Sequence, residues 1–357
     1  MSIIDAPAPF SSTIDPADRY SRQTLFAPIG LEGQRRLTAA HVAIVGCGAT
    51  GAAAASLLAR AGIGTLTLID RDFVEPSNLQ RQVLFTESDA LEALPKAEAA
   101  CRRIAEFNHD VRVFPHIADL TPSNIHSLLA DADLILDATD NFETRYLLND
   151  FAIQQSKPWI YTAAIASYAA TMNILPVKID GAARTACLSC IFPAPPSGTV
   201  ETCDTAGILN TTVNLAASLA VTEALKLLTG NAAAVRRTLV SFDLWTGERS
   251  EIGTSTPRID CETCGKRNFP HLSGEGRPHI TLCGRNSVQI HEHARAIDFT
   301  ELTSRLSPHG AVRSNSMLLR FEHPPYVLTV FADGRALIQG TTDPVVARTL
   351  YARYIGS

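Results

Sequence analysis

The sequence predicts an α/β protein, a doubly wound sheet followed by a small C-terminal α+β domain, and three observations carry this. Short apolar runs of strand length alternate with helix-length segments from about residue 18 to about 270. The first run leads into Gly46-Cys-Gly-Ala-Thr-Gly51 and then a small-residue helix, the order of a phosphate-binding strand–turn–helix. After about residue 275 the alternation changes to strand, helix, three strands, helix. Residues 275–357 are therefore expected to form a separate domain.

Residues 1–17 are rich in Pro, Ala and Ser and are expected to be a flexible tail. His41 to Gly46 is a short apolar segment ending in glycine, as a buried parallel strand would be. Helix Ala49 to Ala61 and strand Thr65 to Asp70 complete a βαβ unit. Further strands are expected at Val111–His116, Leu134–Ala138 and Trp159–Ala163, with helices at about Lys96–Phe107, Pro122–Ala130 and Glu143–Gln155. Such an order builds a Rossmann-like sheet. The stretch Ala194 to Gly207, dominated by Pro, Gly, Ser and Thr, predicts a mobile loop carrying Cys203. Ile208–Leu228 reads as a helix apolar around most of its circumference, for which a subunit interface is the simplest cover. In the tail domain, strands are expected at Ile280–Ile290, Leu318–Phe321, Tyr326–Phe331 and Arg335–Gln339, with helices at Phe299–Leu306 and Val345–Tyr354. No internal repeat is visible.

The chain has 357 residues, 46% of them hydrophobic, enough to bury one large core and a second small one. A net charge of -5 without a long basic run argues against nucleic acid or an anionic membrane as the main partner. No apolar run reaches membrane-spanning length, and the N-terminus lacks the regions of a secretory signal, so a cytoplasmic location is expected.

Two cysteine pairs, Cys187-Leu-Ser-Cys190 and Cys261-Glu-Thr-Cys264, have the spacing of a closed tetrahedral zinc site. With four thiolates and no open position, such an ion is structural. Disulfides or a pair of redox motifs are the alternatives. Cys203 lies between the pairs as a potentially reactive thiol, whereas Cys47, Cys101 and Cys283 are assigned to packing.

In the glycine motif, Gly46, Gly48, Ala49, Thr50 and Gly51 let the backbone approach a phosphate at a helix N-terminus, and Asp70 ends the second strand where a carboxylate meets ribose hydroxyls. NAD, FAD and ATP all satisfy this much. The following stretch carries Asp72, Ser77, Asn78, Arg81 and Gln82; Lys96 opens a helix, and Asp140-Asn141 follows a later strand. An Arg and a Lys near the phosphate end suit a triphosphate, and Asp140 can hold a magnesium ion. Hydride transfer needs none of these. Arg81 and Lys96 as surface charges, and Asp140 as a helix N-cap, are the plainer alternatives.

The stretches RYSRQ, GCGATG, DRDFVEPSNLQRQ, LPKAEAA, DATDNFETRYLLND, CLSC, TCDTAG, EALKLLTG and CETCG resemble the ThiF/MoeB/HesA family, bacterial relatives of the ubiquitin-activating enzymes, over about residues 19–267. The tail, with LCGRNSVQI and ADGRALIQGTTD, resembles the extra C-terminal domain of Bacillus-type ThiF proteins. The resemblance implies an adenylation domain over 18–270. It also implies an adenylyltransferase that uses Mg-ATP to activate the C-terminal Gly-Gly carboxylate of a ubiquitin-like sulfur carrier, ThiS- or MoaD-like. Serving thiamine or molybdopterin sulfur delivery, such an enzyme is expected to be a homodimer, with a cysteine desulfurase or another persulfide donor as a further partner. Matched by motif, Gly48 and the following backbone hold phosphate, Asp70 the ribose, and Asn78, Arg81 and Lys96 the triphosphate. Asp140 positions magnesium, and Arg22 reaches across a dimer into the partner's ATP site. Cys203 attacks the adenylated carrier or joins a persulfide or acyl-disulfide step. Two departures are Ala49-Thr50, where many relatives have Gly-Leu, and Ala169, where many have glycine. An NAD(P)-dependent oxidoreductase and a non-catalytic binder of a ubiquitin-like protein are the rival functions.

Overall fold

The computed structural model describes residues 15–194, 203–274, 280–283, 287–290, 297–314, 317–332 and 334–356. They divide into two compact units, one of residues 15–194 and 208–273, the other of 203–207 and residues from 274 onward.

The larger unit is built on strands β1 (His41–Val45), β2 (Thr65–Ile69), β3 (Arg112–His116), β4 (Leu134–Asp137), β5 (Trp159–Ile165), β6 (Tyr168–Ile174), β7 (Thr238–Asp243) and β8 (Glu248–Gly253). They lie in the order β3-β2-β1-β4-β5-β6-β7-β8. Strands β1 to β5 pair in parallel. The order reverses direction between β1 and β4, the switch point at whose carboxyl ends ligands bind in open sheets of this kind. Beyond β5 the sheet turns antiparallel, so it is mixed where an uninterrupted strand–helix alternation was expected. The cause is local: Ala166-Ser167 join β5 to β6, with Ala166 at φ +49°, far too short for the crossover a parallel strand needs.

Helix Asn210–Leu228 forms where a helix over Ile208–Leu228 was expected. It packs on helix Ala49–Ala61 and strands β5 and β6, while Leu215, Leu219, Leu225 and Leu228 stay half-buried. Ala217, Ala220 and Ala224 share one core with Ala52, Ala55 and Ala59. The expected helix over 122–130 shrinks to Ile125–Leu129, because the Asn124 side chain accepts the Thr121 N–H and holds the preceding residues in a turn. Three helices before β1 were not expected: Pro16–Arg19, capped by Asp15, Ser21–Thr24 and Gly30–Ala39. Residues 1–14 of the expected tail lie outside the described residues. Among the described residues, no helix is long and apolar enough to cross a membrane.

The second unit holds β9 (Ile280–Cys283), β10 (Ser287–Ile290), β11 (Ala311–Ser314), β12 (Leu318–His323), β13 (Tyr326–Phe331) and β14 (Ala336–Gln339), ordered β11-β12-β13-β14-β10-β9. Every pairing is antiparallel. Alternate residues Val288, Phe321, Leu328, Val330 and Ile338 form one core with Leu302 and Leu306 of helix Phe299–Leu306 and Leu350 of helix Pro344–Tyr354. The single strand expected over Ile280–Ile290 is two strands, and β11 is an addition.

Candidate active site

The turn after β1 is shaped by glycine. Gly46 sits at φ +89°, and a Cβ there would meet the Ala138 carbonyl oxygen at 2.7 Å; one at Gly51 would strike the Gly46 carbonyl. Gly48 is the N-cap of helix Ala49–Ala61 with no side chain on the first N–H groups. Among the described residues, only the Gln82 amide nitrogen, at 3.9 Å, stands near where its Cβ would be. Unspent helix N–H groups behind a glycine with room in front are a seat for phosphate. Ala49 and Thr50 keep the helix intact, so the departure from Gly-Leu leaves this geometry in place.

Asp70, just past β2, ties this turn to the next. One carboxylate oxygen accepts the Cys47 N–H at 2.6 Å, the other the Asp72 N–H at 2.7 Å. Burial pushes its carboxyl up, and the nearby Lys96 charge works against that. Cys47 itself is fully buried, as a packing residue should be.

The segment from Asp72 to Lys96 closes on itself through the Phe73–Pro95 bridge, Val74 N–H to Leu94 O at 2.8 Å and Lys96 N–H to Asp72 O at 2.9 Å. This clip places Lys96, only 3% exposed, with its ammonium 3.0 Å from the Asp72 carboxylate. Asn78 is fully buried and its Oδ1 accepts the Glu75 N–H, while its Nδ2 and the Oε1 of buried Gln82 find no partner among the described residues. A buried amide donor left unused costs free energy unless a ligand takes it up, so the residues present suit a nucleotide. Arg81 is held through its Nη1 on the Ser77 carbonyl at 2.7 Å.

At the end of β4 the helix cap belongs to Asn141, whose Oδ1 accepts the Thr144 N–H at 2.9 Å. Asp140 is therefore released from the capping role, and it is exposed. Sequence reasoning missed the pair behind it. Asp137 is fully buried; one oxygen accepts both the N–H and the hydroxyl of Thr139, and the other faces Arg145 Nε at 3.3 Å. Burial pushes the Asp137 carboxyl up, against Arg145 and Thr139; burial also opposes the Arg145 charge, but Asp137, Tyr161 and Asp140 more than offset it. The available signal was a charged residue in a helix whose neighbours Tyr146, Leu147 and Leu148 are all apolar or aromatic, since a buried arginine needs a partner.

Arg22 lies exposed on the turn Ser21–Thr24, and among the described residues it makes no hydrogen bond or ion pair to this group. Cys203 opens the helical turn Cys203–Ala206, but its side chain lies outside the described residues. Ala169 is buried on β6 beside Ala164 and Phe242.

The four paired cysteines do converge. Their sulfurs lie within 4.8 Å of one another, with Cys187–Cys190 at 3.8 Å, Cys187–Cys261 at 3.6 Å and Cys190–Cys264 at 3.4 Å. Zinc–sulfur bonds of about 2.3 Å in a tetrahedron set sulfurs about 3.8 Å apart, so the cluster fits zinc, and no disulfide joins these thiols. Helix Phe142–Gln155 supports both knuckles: Asn149 accepts the Leu188 N–H and donates to Ser189, and Asp150 accepts from Thr263 and from the His271 N–H. The helix that begins beside Asp140 thus packs its middle, Asn149 and Asp150, against the two cysteine knuckles.

Compared with known proteins, residues 20–263 match the ThiF family. The sulfur carrier protein ThiS adenylyltransferase of Bacillus subtilis (strain 168) is 44% identical over 342 residues, 95% of this chain and 99% of that one. The sulfur carrier protein adenylyltransferase of Thermus thermophilus is 37% identical over 255 residues, 71% of this chain and 92% of that one. Among solved structures, E. coli MccB with MccA-N7isoASN superposes with a TM-score of 0.61 at 23% identity, covering 71% of this chain and 76% of that one. That last likeness is one of fold.

Proposed function

The chain belongs to the ThiF family, and from that premise we propose that it is an ATP-dependent adenylyltransferase activating the C-terminal Gly-Gly carboxylate of a ubiquitin-like sulfur carrier. The observation that carries the reading is the buried lysine, Lys96, clipped beside the ribose-type Asp70 and the open glycine turn. A fixed cation there serves a departing pyrophosphate and has no use in hydride transfer.

The chemistry is a displacement at the α-phosphorus. The carrier carboxylate attacks, a carboxyl-oxygen–phosphorus bond forms, the bond to the β-phosphate oxygen breaks, and pyrophosphate leaves with the electron pair. The Gly48 turn seats phosphate, Asp70 accepts the ribose hydroxyls, and Asn78 offers its unused Nδ2. Lys96 and Arg81 stabilise the charge that accumulates on the leaving group. Asp140 is the carboxylate to hold magnesium, which when bound neutralises phosphate charge.

The finer reading is a cytoplasmic homodimer of an adenylation domain (18–270) and a small C-terminal domain (275–357), with Arg22 entering the partner's site. Its carrier is ThiS-like, for thiamine, as the name of the Bacillus subtilis relative supports. Cys203 then attacks the carrier's acyl-adenylate, forming a thioester as AMP leaves, or takes the sulfane sulfur of a persulfide donor, whose own thiol is released. Cys203→Ser is expected to leave carrier adenylation within about threefold and to lower sulfur transfer roughly 10²-fold or more; equal rates in both assays would make the cysteine incidental. The function itself is tested by mass spectrometry of carriers incubated with ATP. A ThiS-like carrier should gain one adenylate and a carrier lacking its last glycine none; nicotinamide binding without any adenylate would reject the reading.

A further inference from the structure

We propose that Arg145 is a positioning residue for the adenylation site: it fixes the Asp137–Asp140 turn against the glycine turn and so sets where the Asp140 carboxylate stands. The inference rests on the adenylation reading for its chemistry, but the geometry is its own. The Arg145 side chain is 6% exposed. Its Nε meets the Asp137 carboxylate at 3.3 Å, and its Nη2 donates to the carbonyl oxygens of Thr139 at 2.6 Å and Thr162 at 3.2 Å. The guanidinium lies 5.3 Å from the Phe142 ring and 5.0 Å from the Tyr161 ring. One planar fork thus joins the end of β4, the turn after it and β5.

The turn is pinned from its other side as well. The Ala138 N–H donates to Val45 O at 2.8 Å. The Ala138 carbonyl oxygen lies 2.7 Å from where a Cβ on Gly46 would stand, and the Ala138 side chain 3.2 Å from where one on Gly51 would. Asp140 follows Thr139 directly and contributes none of these bonds; its carboxylate stays exposed. Its position is therefore inherited from the Thr139 carbonyl that Arg145 holds. Lysine, with a single point charge on a flexible stem, cannot make the three-way fork.

The test measures ATP affinity of the full chain by calorimetry with and without magnesium, in wild type and in Arg145→Lys, with thermal unfolding and zinc content recorded for both. Wild type should bind ATP more tightly with magnesium. The lysine variant should keep its zinc and its affinity for ATP alone, while losing about fivefold or more of the magnesium enhancement. An unchanged enhancement in Arg145→Lys overturns the proposal, and so does equal weakening of ATP with and without magnesium. Should that variant fail to fold, the neutral pair Asp137→Asn with Arg145→Gln, which leaves no buried charge unpaired, is judged by the same outcomes. If wild type shows the enhancement yet adenylates no carrier, the functional reading falls and the role of Arg145 stands. If wild type binds no ATP, both fall.

Discussion

Lys96→Met is expected to lower carrier adenylation roughly 10²–10³-fold, the loss seen when one preorganised group stabilising developing charge is removed. Methionine nearly matches the length and apolar stem of lysine, so the packing around this 3% exposed side chain survives. Of the groups left behind, Asp72 is 36% exposed and can be hydrated, whereas buried Asp70 keeps the Cys47 and Asp72 N–H groups but loses the Lys96 charge, so the variant should fold with some loss of stability. Because the missing charge acts on a leaving pyrophosphate, the deficit belongs in kcat more than in KM. Steady-state rates alongside thermal unfolding decide it: a folded variant within tenfold of wild type would remove Lys96 from the chemistry.

The largest effect on stability should come from losing the metal. Zinc at a thousand times its Kd stabilises by about 4 kcal/mol, which for a unit of this size is roughly 10 °C in Tm. Cys261→Ser removes a buried ligand sulfur 3.6 Å from Cys187, so it should abolish stoichiometric zinc and lower Tm by about that amount. A chelator should do the same to wild type. Because helix Phe142–Gln155 carries Asn149 and Asp150 on the knuckles and begins beside Asp140, activity should fall in parallel. Wild-type protein purified in metal-free buffer with less than half an equivalent of zinc and all thiols free would contradict the assignment.

Much of this was legible in the chain, for reasons that also explain the gaps. Strands β1, β2 and β4 are buried on both faces and so read as unbroken apolar runs. Strand β8 is exposed at every residue, and β11 almost so; neither has an apolar pattern to read. The helices at Pro16–Arg19 and Ser21–Thr24 bury none of their residues, so they leave no periodicity. The glycine turn and the two cysteine pairs were readable because steric need and metal geometry restrict residue type. Arg145 was not: a charge in a helix reads as solvated until the burial of its neighbours is known. Asp140 was read as a possible helix N-cap, and only the Thr144 hydrogen bond shows that Asn141 takes that role.

The glycine turn, Asp70, Lys96 and Asp140 are proposed to form one site for transferring adenylate to a carrier carboxylate. Isotope exchange between pyrophosphate and ATP measures the reversal of that step. It should require a Gly-Gly carrier, vanish when the last glycine is removed, and be nearly lost in Lys96→Met. Exchange that proceeds equally without a carrier, or no exchange with either ThiS-like or MoaD-like carriers while ATP is bound, would contradict the account.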